Sequence, residues 1–204
     1  MLKTLLVANS LLLLMTGCAQ LPLSPPTANF DIIQKAKASG TAPVAVGTFQ
    51  LAAGVSRDID QGLSVRSNSV TSPFEGSMAQ YLKQSVTTDL QASGLYDASA
   101  PTQLTGFLTE STLSVPIGGS SATLGARFVL TRAGQKIYEK ELKANASWKA
   151  EFIGVLAIPD GINRYVGLYH QLVDMLLSDP EYQKSNPNEK VLNTGVWLCL
   201  ARRL

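Results

Sequence analysis

Between Thr102 and Lys149 the chain alternates apolar and polar residues in three successive runs. A period of two over that length dictates strands and constrains the fold more than any other feature. In the first run, Gln103–Val115, Leu104, Gly106 and Leu108 share a face with Thr102, while Phe107 and Thr109 lie opposite. In Ala122–Thr131, Leu124, Ala126, Phe128 and Leu130 point one way, and Thr123, Arg127 and Thr131 the other. In Lys136–Lys149, Tyr138, Leu142, Ala144, Ala146 and Trp148 share a face against Lys143, Asn145 and Lys149. Pro116-Ile117-Gly118-Gly119-Ser120-Ser121 and Arg132-Ala133-Gly134-Gln135 read as the turns between them. Short connections make neighbours antiparallel, so the runs form a meander with one covered and one wetter face.

Two amphipathic stretches supply the cover. Ser72-Pro73-Phe74-Glu75 reads as a helix start, with Ser72 as cap, Pro73 in the first position and Glu75 bonding back. Phe74, Met78, Tyr81, Leu82, Val86 and Leu90 then form one stripe, and Gly94 stops the helix. Its polar face carries only Lys83, whereas helices lying on membranes are rich in Lys and Arg there, so core packing is expected. The second stretch, from about Asp160 to Ser178, carries Ile162, Tyr165, Val166, Tyr169, Leu172, Val173, Leu176 and Leu177, and Asp179-Pro180 ends it. Val44–Leu51 and, more weakly, Leu63–Val70 alternate as further strands, with Ala52–Gly62 as a loop. The expected class is α+β: a mainly antiparallel sheet of roughly four to five strands with two long helices on one face, burying Phe128, Leu142 and Trp148.

The N-terminus belongs to no such domain. Lys3 precedes an apolar run, Leu5–Met15, that is followed by small residues. That pattern is a secretory signal, since a spanning helix needs roughly 20 apolar residues. Leu14-Met15-Thr16-Gly17-Cys18 resembles the lipobox of bacterial lipoproteins, with Met15 where Leu is commonest. The resemblance implies cleavage between Gly17 and Cys18, a diacylglycerol thioether on the Cys18 sulfur and an acyl chain on its new amine. Two or three acyl chains make a lasting anchor where one holds only marginally. Ala19 follows, where an Asp would imply retention in the inner membrane, so the family's sorting rule implies the outer membrane.

These features divide the chain into a signal peptide (1–17), a lipidated Cys with a tether (18–42), an α+β domain (43–182) and a C-terminal tail (183–204). Leu21-Pro22-Leu23-Ser24-Pro25-Pro26 reads as extended and semi-rigid, with a brief helical turn within Phe30–Ala38. The chain holds 17 basic and 15 acidic residues. That near balance leaves no footprint for nucleic acid. With Cys18 acylated, Cys199 has no partner in the chain and is either a buried apolar residue or a free thiol.

The order strand, strand, helix, three strands, helix resembles small lipoproteins of the YajG type, and more loosely PqiC-like and LptE-like auxiliary lipoproteins of envelope transport. Val44–Leu51, the helix with Leu82, Leu90 and Gly94, the ladder Ala126–Leu130, Ala144–Trp148 and the helix Tyr165–Leu177 carry the likeness. It implies a non-enzymatic outer-membrane lipoprotein facing the periplasm, anchored in the membrane and binding an envelope protein partner. Cys18 alone takes a role from the family, and no cofactor is implied. A carrier of a lipid or other apolar ligand is the alternative; a cavity lined by Phe74, Met78, Phe128 and Trp148 would mark it. A hydrolase is the third reading.

Motifs for catalysis are sparse. His170 is the one His in the chain and would need a nucleophile brought to it by the fold. No metal site is expected from one His and no Cys pair. Gly118-Gly119-Ser120-Ser121 precedes no helix and reads as a hairpin tip rather than a phosphate loop. Asp58 and Asp60 share a loop, and Glu139 and Glu141 one strand face. Val191–Leu204 reads as a loosely docked tail, with an added edge strand or a partner-binding peptide as alternatives.

Overall fold

The alternating runs pair as an antiparallel meander in the computed structural model, which describes residues 20–188. In chain order the elements are β1 (Gln20–Pro22), α1 (Phe30–Ala38), β2 (Ala45–Leu51), α2 (Asp58–Gln61), β3 (Leu63–Val65) and β4 (Asn68–Thr71). They continue with α3 (Met78–Ser93), β5 (Thr102–Ser114), β6 (Gly118–Arg132), β7 (Gln135–Ala150), α4 (Gly154–Ser178) and α5 (Pro180–Ser185). Gly118 to Ser121, expected at a hairpin tip, instead open β6 and pair with Ala150 to Ser147.

The fold is α+β, but the sheet is mixed and there are two of them. The larger has the order β2-β5-β6-β7, and β2 runs parallel to β5. Parallel neighbours require a crossover, and residues 52–101 provide it with α2, β3, β4 and α3. The second sheet, β1-β4-β3, was not expected. Leu63–Val70 is a hairpin rather than one strand, turning at Arg66, whose φ is 55°. Where β2 meets β5, Gly106 leaves room for a ring: a Cβ there would lie 2.3 Å from Phe49 Cε1.

Both long helices form, each with a shifted start. Ser77, not Ser72, caps α3, its hydroxyl accepting the Gln80 N–H at 3.1 Å. Glu75 at φ 54° and Gly76 at φ 68° interrupt any helix begun at Pro73. The Ser72 hydroxyl instead accepts the Phe74 N–H in a local turn. Asp60 adds to the true cap by accepting the Ala79 N–H at 2.8 Å. Gly94 ends the helix in the left-handed region at φ 75°, its N–H donating to Leu90 and Gln91 carbonyls. Helix α4 begins at Gly154, six residues before the expected Asp160, and carries Pro159 inside it. Tyr165, Tyr169, Leu172, Val173, Leu176 and Leu177 are buried against the sheet, as are Phe128 and Leu142; Trp148 is half-buried.

Residues 20–42 are not a free tether. Gln20–Pro22 pairs with Ser69–Thr71, and the Leu23 N–H donates to the Thr71 carbonyl at 2.9 Å. The Tyr81 hydroxyl donates to the Ser24 carbonyl at 2.8 Å, and Leu23, Ile32 and Ala36 are buried. The prolines favour an extended chain, and that chain has found a strand edge and apolar surface to lie on. At the other end, α5 follows α4 directly, with Asp179 as its cap. Asn186 is fully buried, exchanging hydrogen bonds with Ala42 at 2.7 and 2.9 Å. Residues 183–188 thus pack on the body. Gly17, Cys18, Cys199 and Val191–Leu204 lie outside the described residues.

Candidate functional site

His170, the candidate base, meets a buried carboxylate. Its Nδ1 lies 3.2 Å from Oδ2 of Asp89 on α3, whose side chain is fully buried. The other carboxylate oxygen of Asp89 accepts the Asn29 N–H at 3.0 Å. Asn29 in turn caps α1, accepting the N–H groups of Asp31 and Ile32 at 3.0 and 3.3 Å. The cleft beside His170 holds about 250 Å³, and Lys35 crosses its rim to Asp174 at 2.8 Å. Among the described residues no Ser, Thr or Cys lines it, so none of them offers the histidine a hydroxyl or thiol to activate there. The arrangement serves as a clamp that ties the N-terminal segment to both long helices. A lone Asp in a helix carries no spacing signal, so the sequence does not mark Asp89.

Of the four side chains that the carrier alternative places around a cavity, Met78 and Phe128 pack among the chain's own side chains, and Phe74 and Trp148 are half-buried. Met78 and Phe128 are fully buried, and Phe49 packs edge-on to Phe128 with centroids 6.4 Å apart. Tyr169 stands 4.8 Å from Tyr81 and 5.4 Å from Tyr165. Their hydroxyls are chained: Ser111 to Tyr165 at 2.7 Å, Tyr165 to Tyr169 at 2.8 Å, and Tyr169 to the Met78 sulfur at 3.8 Å. Burial pushes the Tyr81 and Tyr165 phenols up to about 12 and that of Tyr169 well above its usual value. The hydroxyls therefore stay neutral donors, which is what a filled, hydrogen-bonded core requires.

A larger cleft of about 530 Å³ opens at the far end of the sheet, by Thr102, Arg132 and Pro187. Arg132 is spent there on structure, donating to Thr102 Oγ1 at 2.8 Å and Asn186 Oδ1 at 2.9 Å. Among the described residues no group of three or more His, Cys, Asp or Glu could hold a metal ion. Of the other carboxylates flagged by the sequence, Asp58 is engaged with Ser56, Asp60 with Ser77 and Ala79, and Glu139 with Arg127 and Lys136, while Glu141 is exposed.

The outer face of the four-stranded sheet, opposite the buried face, carries half-buried and exposed side chains among the described residues. Thr105, Val129 and Glu139 form one row across β5, β6 and β7; Phe107, Arg127 and Glu141 form the next. All six are half-buried or exposed. The Arg127 guanidinium lies 4.7 Å from the Phe107 ring centre and 3.0 Å from Glu139. Lys136 and Arg127 hold the Glu139 carboxyl below the usual carboxylate range. β7 is an outer strand of this sheet among the described residues.

With this geometry established, the fold has a counterpart among solved structures. Protein XCC0632 of Xanthomonas campestris, a DUF330 protein, superposes with a TM-score of 0.54 at 12% identity, over 78% of this chain and 95% of that one. A minor lipoprotein of Acinetobacter baumannii (12% identity, 68% and 94% coverage) and lipoprotein GNA1162 of Neisseria meningitidis (16%, 73% and 99%) give TM-scores of only 0.38 and 0.23. The first likeness establishes a shared fold, and the other two are too weak to carry an argument. No protein-family model and no curated protein sequence matches the chain.

Proposed function

We propose that this chain is a bacterial lipoprotein, anchored by acyl chains on Cys18 in the outer membrane and facing the periplasm. In this reading it is a binding module for an envelope assembly or transport complex and carries out no catalytic step. The observation that carries the reading is the lipobox-like Leu14–Cys18, which ends one residue before the paired strand at Gln20. The outer sheet face around Phe107 and Arg127, with the β7 edge, is the contact surface. It offers an aromatic, a guanidinium and a strand edge together, the groups that dominate protein interfaces. The filled core between helices and sheet weighs against the carrier alternative.

The test has two parts. Intact mass of the membrane-extracted protein should show loss of residues 1–17 and addition of diacylglycerol and acyl chains, and Cys18→Ala should abolish both. A photoreactive residue at Thr105 should then cross-link a protein in intact cells, and the adduct should fade when Cys18 is Ala. A bound lipid recovered without any protein adduct would favour the carrier instead.

A further inference from the structure

Seven large hydrophobic side chains are exposed among the described residues, and five of them crowd one end of the fold. Ile117 (67% exposed) lies in the β5–β6 connection; Phe152 (73%), Ile153 (57%), Val155 (75%) and Leu156 (56%) surround the start of α4. Scattered exposed hydrophobics are normal; a contiguous group marks a contact surface. The backbone that carries them is held firmly. Arg66, at the β3–β4 turn, donates to the carbonyls of Val115 at 2.9 Å, Glu151 at 3.3 Å and Phe152 at 3.4 Å. Gly161 of α4 packs on Val115 so closely that a Cβ there would lie 2.7 Å from it. These side chains therefore project from a braced platform.

The route of the N-terminal chain identifies what they meet. β1 runs parallel to β4, so Gln20 sits opposite Ser69, three residues from Arg66, at this same end. Only Ala19 separates Gln20 from Cys18. Two residues of chain reach about 7 Å at most, so acyl chains on Cys18 leave the protein at the same end of the fold as the apolar group. The other end of the described chain lies far away: Pro187 bridges Thr41, near Thr102 and Arg132. That is the opposite end of β5, about 40 Å distant at the usual rise of a strand.

We propose that Ile117, Phe152, Ile153, Val155 and Leu156 form a foot that inserts into the same leaflet that holds the Cys18 acyl chains. The inference rests on the lipid-anchor reading and deepens it. The anchor and the foot together fix the domain upright, with the strands of the large sheet running away from the membrane. The Phe107–Arg127 face is then presented sideways to the periplasm, and the Ala133-Gly134 turn stands farthest out.

The test uses full-length lipidated protein in vesicles of phosphatidylethanolamine and phosphatidylglycerol, with Cys199→Ser removing the second thiol. Nitroxide labels are placed at Val155→Cys, at Leu156→Cys and, as a control on the outer sheet face, at Glu141→Cys. Collisions with oxygen, which concentrates in lipid, and with a water-soluble nickel chelate give the depth of each label. Labels at 155 and 156 should collide several-fold more with oxygen and several-fold less with nickel than the label at 141, at a depth of about 5–10 Å. Equal access to nickel at all three sites would overturn the foot. So would low access to both reagents, since that means cover by protein, either a second copy or Val191–Leu204. Intact mass separates the two readings. A lipidated protein with wet labels rejects the foot alone, whereas an unmodified Cys18 rejects the anchor and the foot with it.

Discussion

The buried carboxylate of Asp89 accepts the backbone N–H of Asn29 across 60 residues of chain. It thereby fixes α1 to the body at the point where α1 begins. Hydrogen bonds to a charged group contribute about 1.5–3 kcal/mol. Asp89→Ala should lower stability by that order in chemical denaturation, with faster hydrogen exchange concentrated in Phe30–Ala38. His170→Ala should cost less, because the Asn29 bond survives it. Equal losses from the two substitutions would mean that the histidine, not the clamp, is what matters.

Phe49 and Gly106 interlock where β2 lies parallel to β5. Gly106→Ala forces the ring to move and should cost about 1–3 kcal/mol by overpacking. Phe49→Leu in the same chain should recover part of that loss, since the clash is with the ring edge. A double variant no more stable than Gly106→Ala would show that the strain lies in the backbone. Denaturation midpoints of the three proteins decide it.

Asp179 ends α4 and caps α5. It accepts the Glu181 N–H at 2.8 Å, lies 2.7 Å from Lys140 and accepts the Tyr138 hydroxyl at 3.2 Å. Burial pushes its carboxyl up, but these partners, Lys140 foremost, outweigh burial and hold it below its ordinary 3.8. The stability this adds is present above pH 3.8 and is lost as acid protonates the folded form. Asp179→Ala should cost about 0.5–2 kcal/mol at neutral pH through the lost cap. Its melting temperature should also fall less steeply in acid than that of the parent.

The tyrosine network sets the alkaline limit. Tyr81 and Tyr165 are raised by burial from 10.0 to about 12. The folded state therefore keeps protons that the unfolded chain releases, and stability is lost as pH rises from 10 towards 12. Melting temperature followed with tyrosinate absorbance should show unfolding and ionisation together in that window. Tyr165→Phe should destabilise at neutral pH by about 1–3 kcal/mol, because the Ser111 hydroxyl is left buried without its partner. Phenol titration well before unfolding would contradict the closed core.

Local chemistry made much of this fold legible. The Ala133-Gly134 turn, the period-two ladders and the stop at Gly94 depend on neighbours within a few residues, and each stands where the pattern placed it, except that β6 opens earlier, at Gly118. The start of α3 did not, because Ser72 and Ser77 are both competent caps. The left-handed backbone at Glu75 and Gly76, together with Asp60 from 17 residues upstream of Ser77, chose between them. The clamp at Asp89 is invisible for a related reason: its partners, Asn29 and His170, come from other elements.

The sequence by itself determined the α+β class, the meander, the two long helices and the lipobox-like stretch that points to Cys18. These follow from the periodicity of side chains along one segment and from short motifs, which need no distant contact. Tertiary structure alone decided the parallel β2–β5 pair, the second sheet, the packing of residues 20–42 and the gathering of Ile117 with Phe152–Leu156 at the end of the fold where Gln20 lies. Each of those joins segments far apart in the chain. Such contacts form only when loop-closure entropy is offset by the surface they bury together, and a linear pattern does not record which partner that will be.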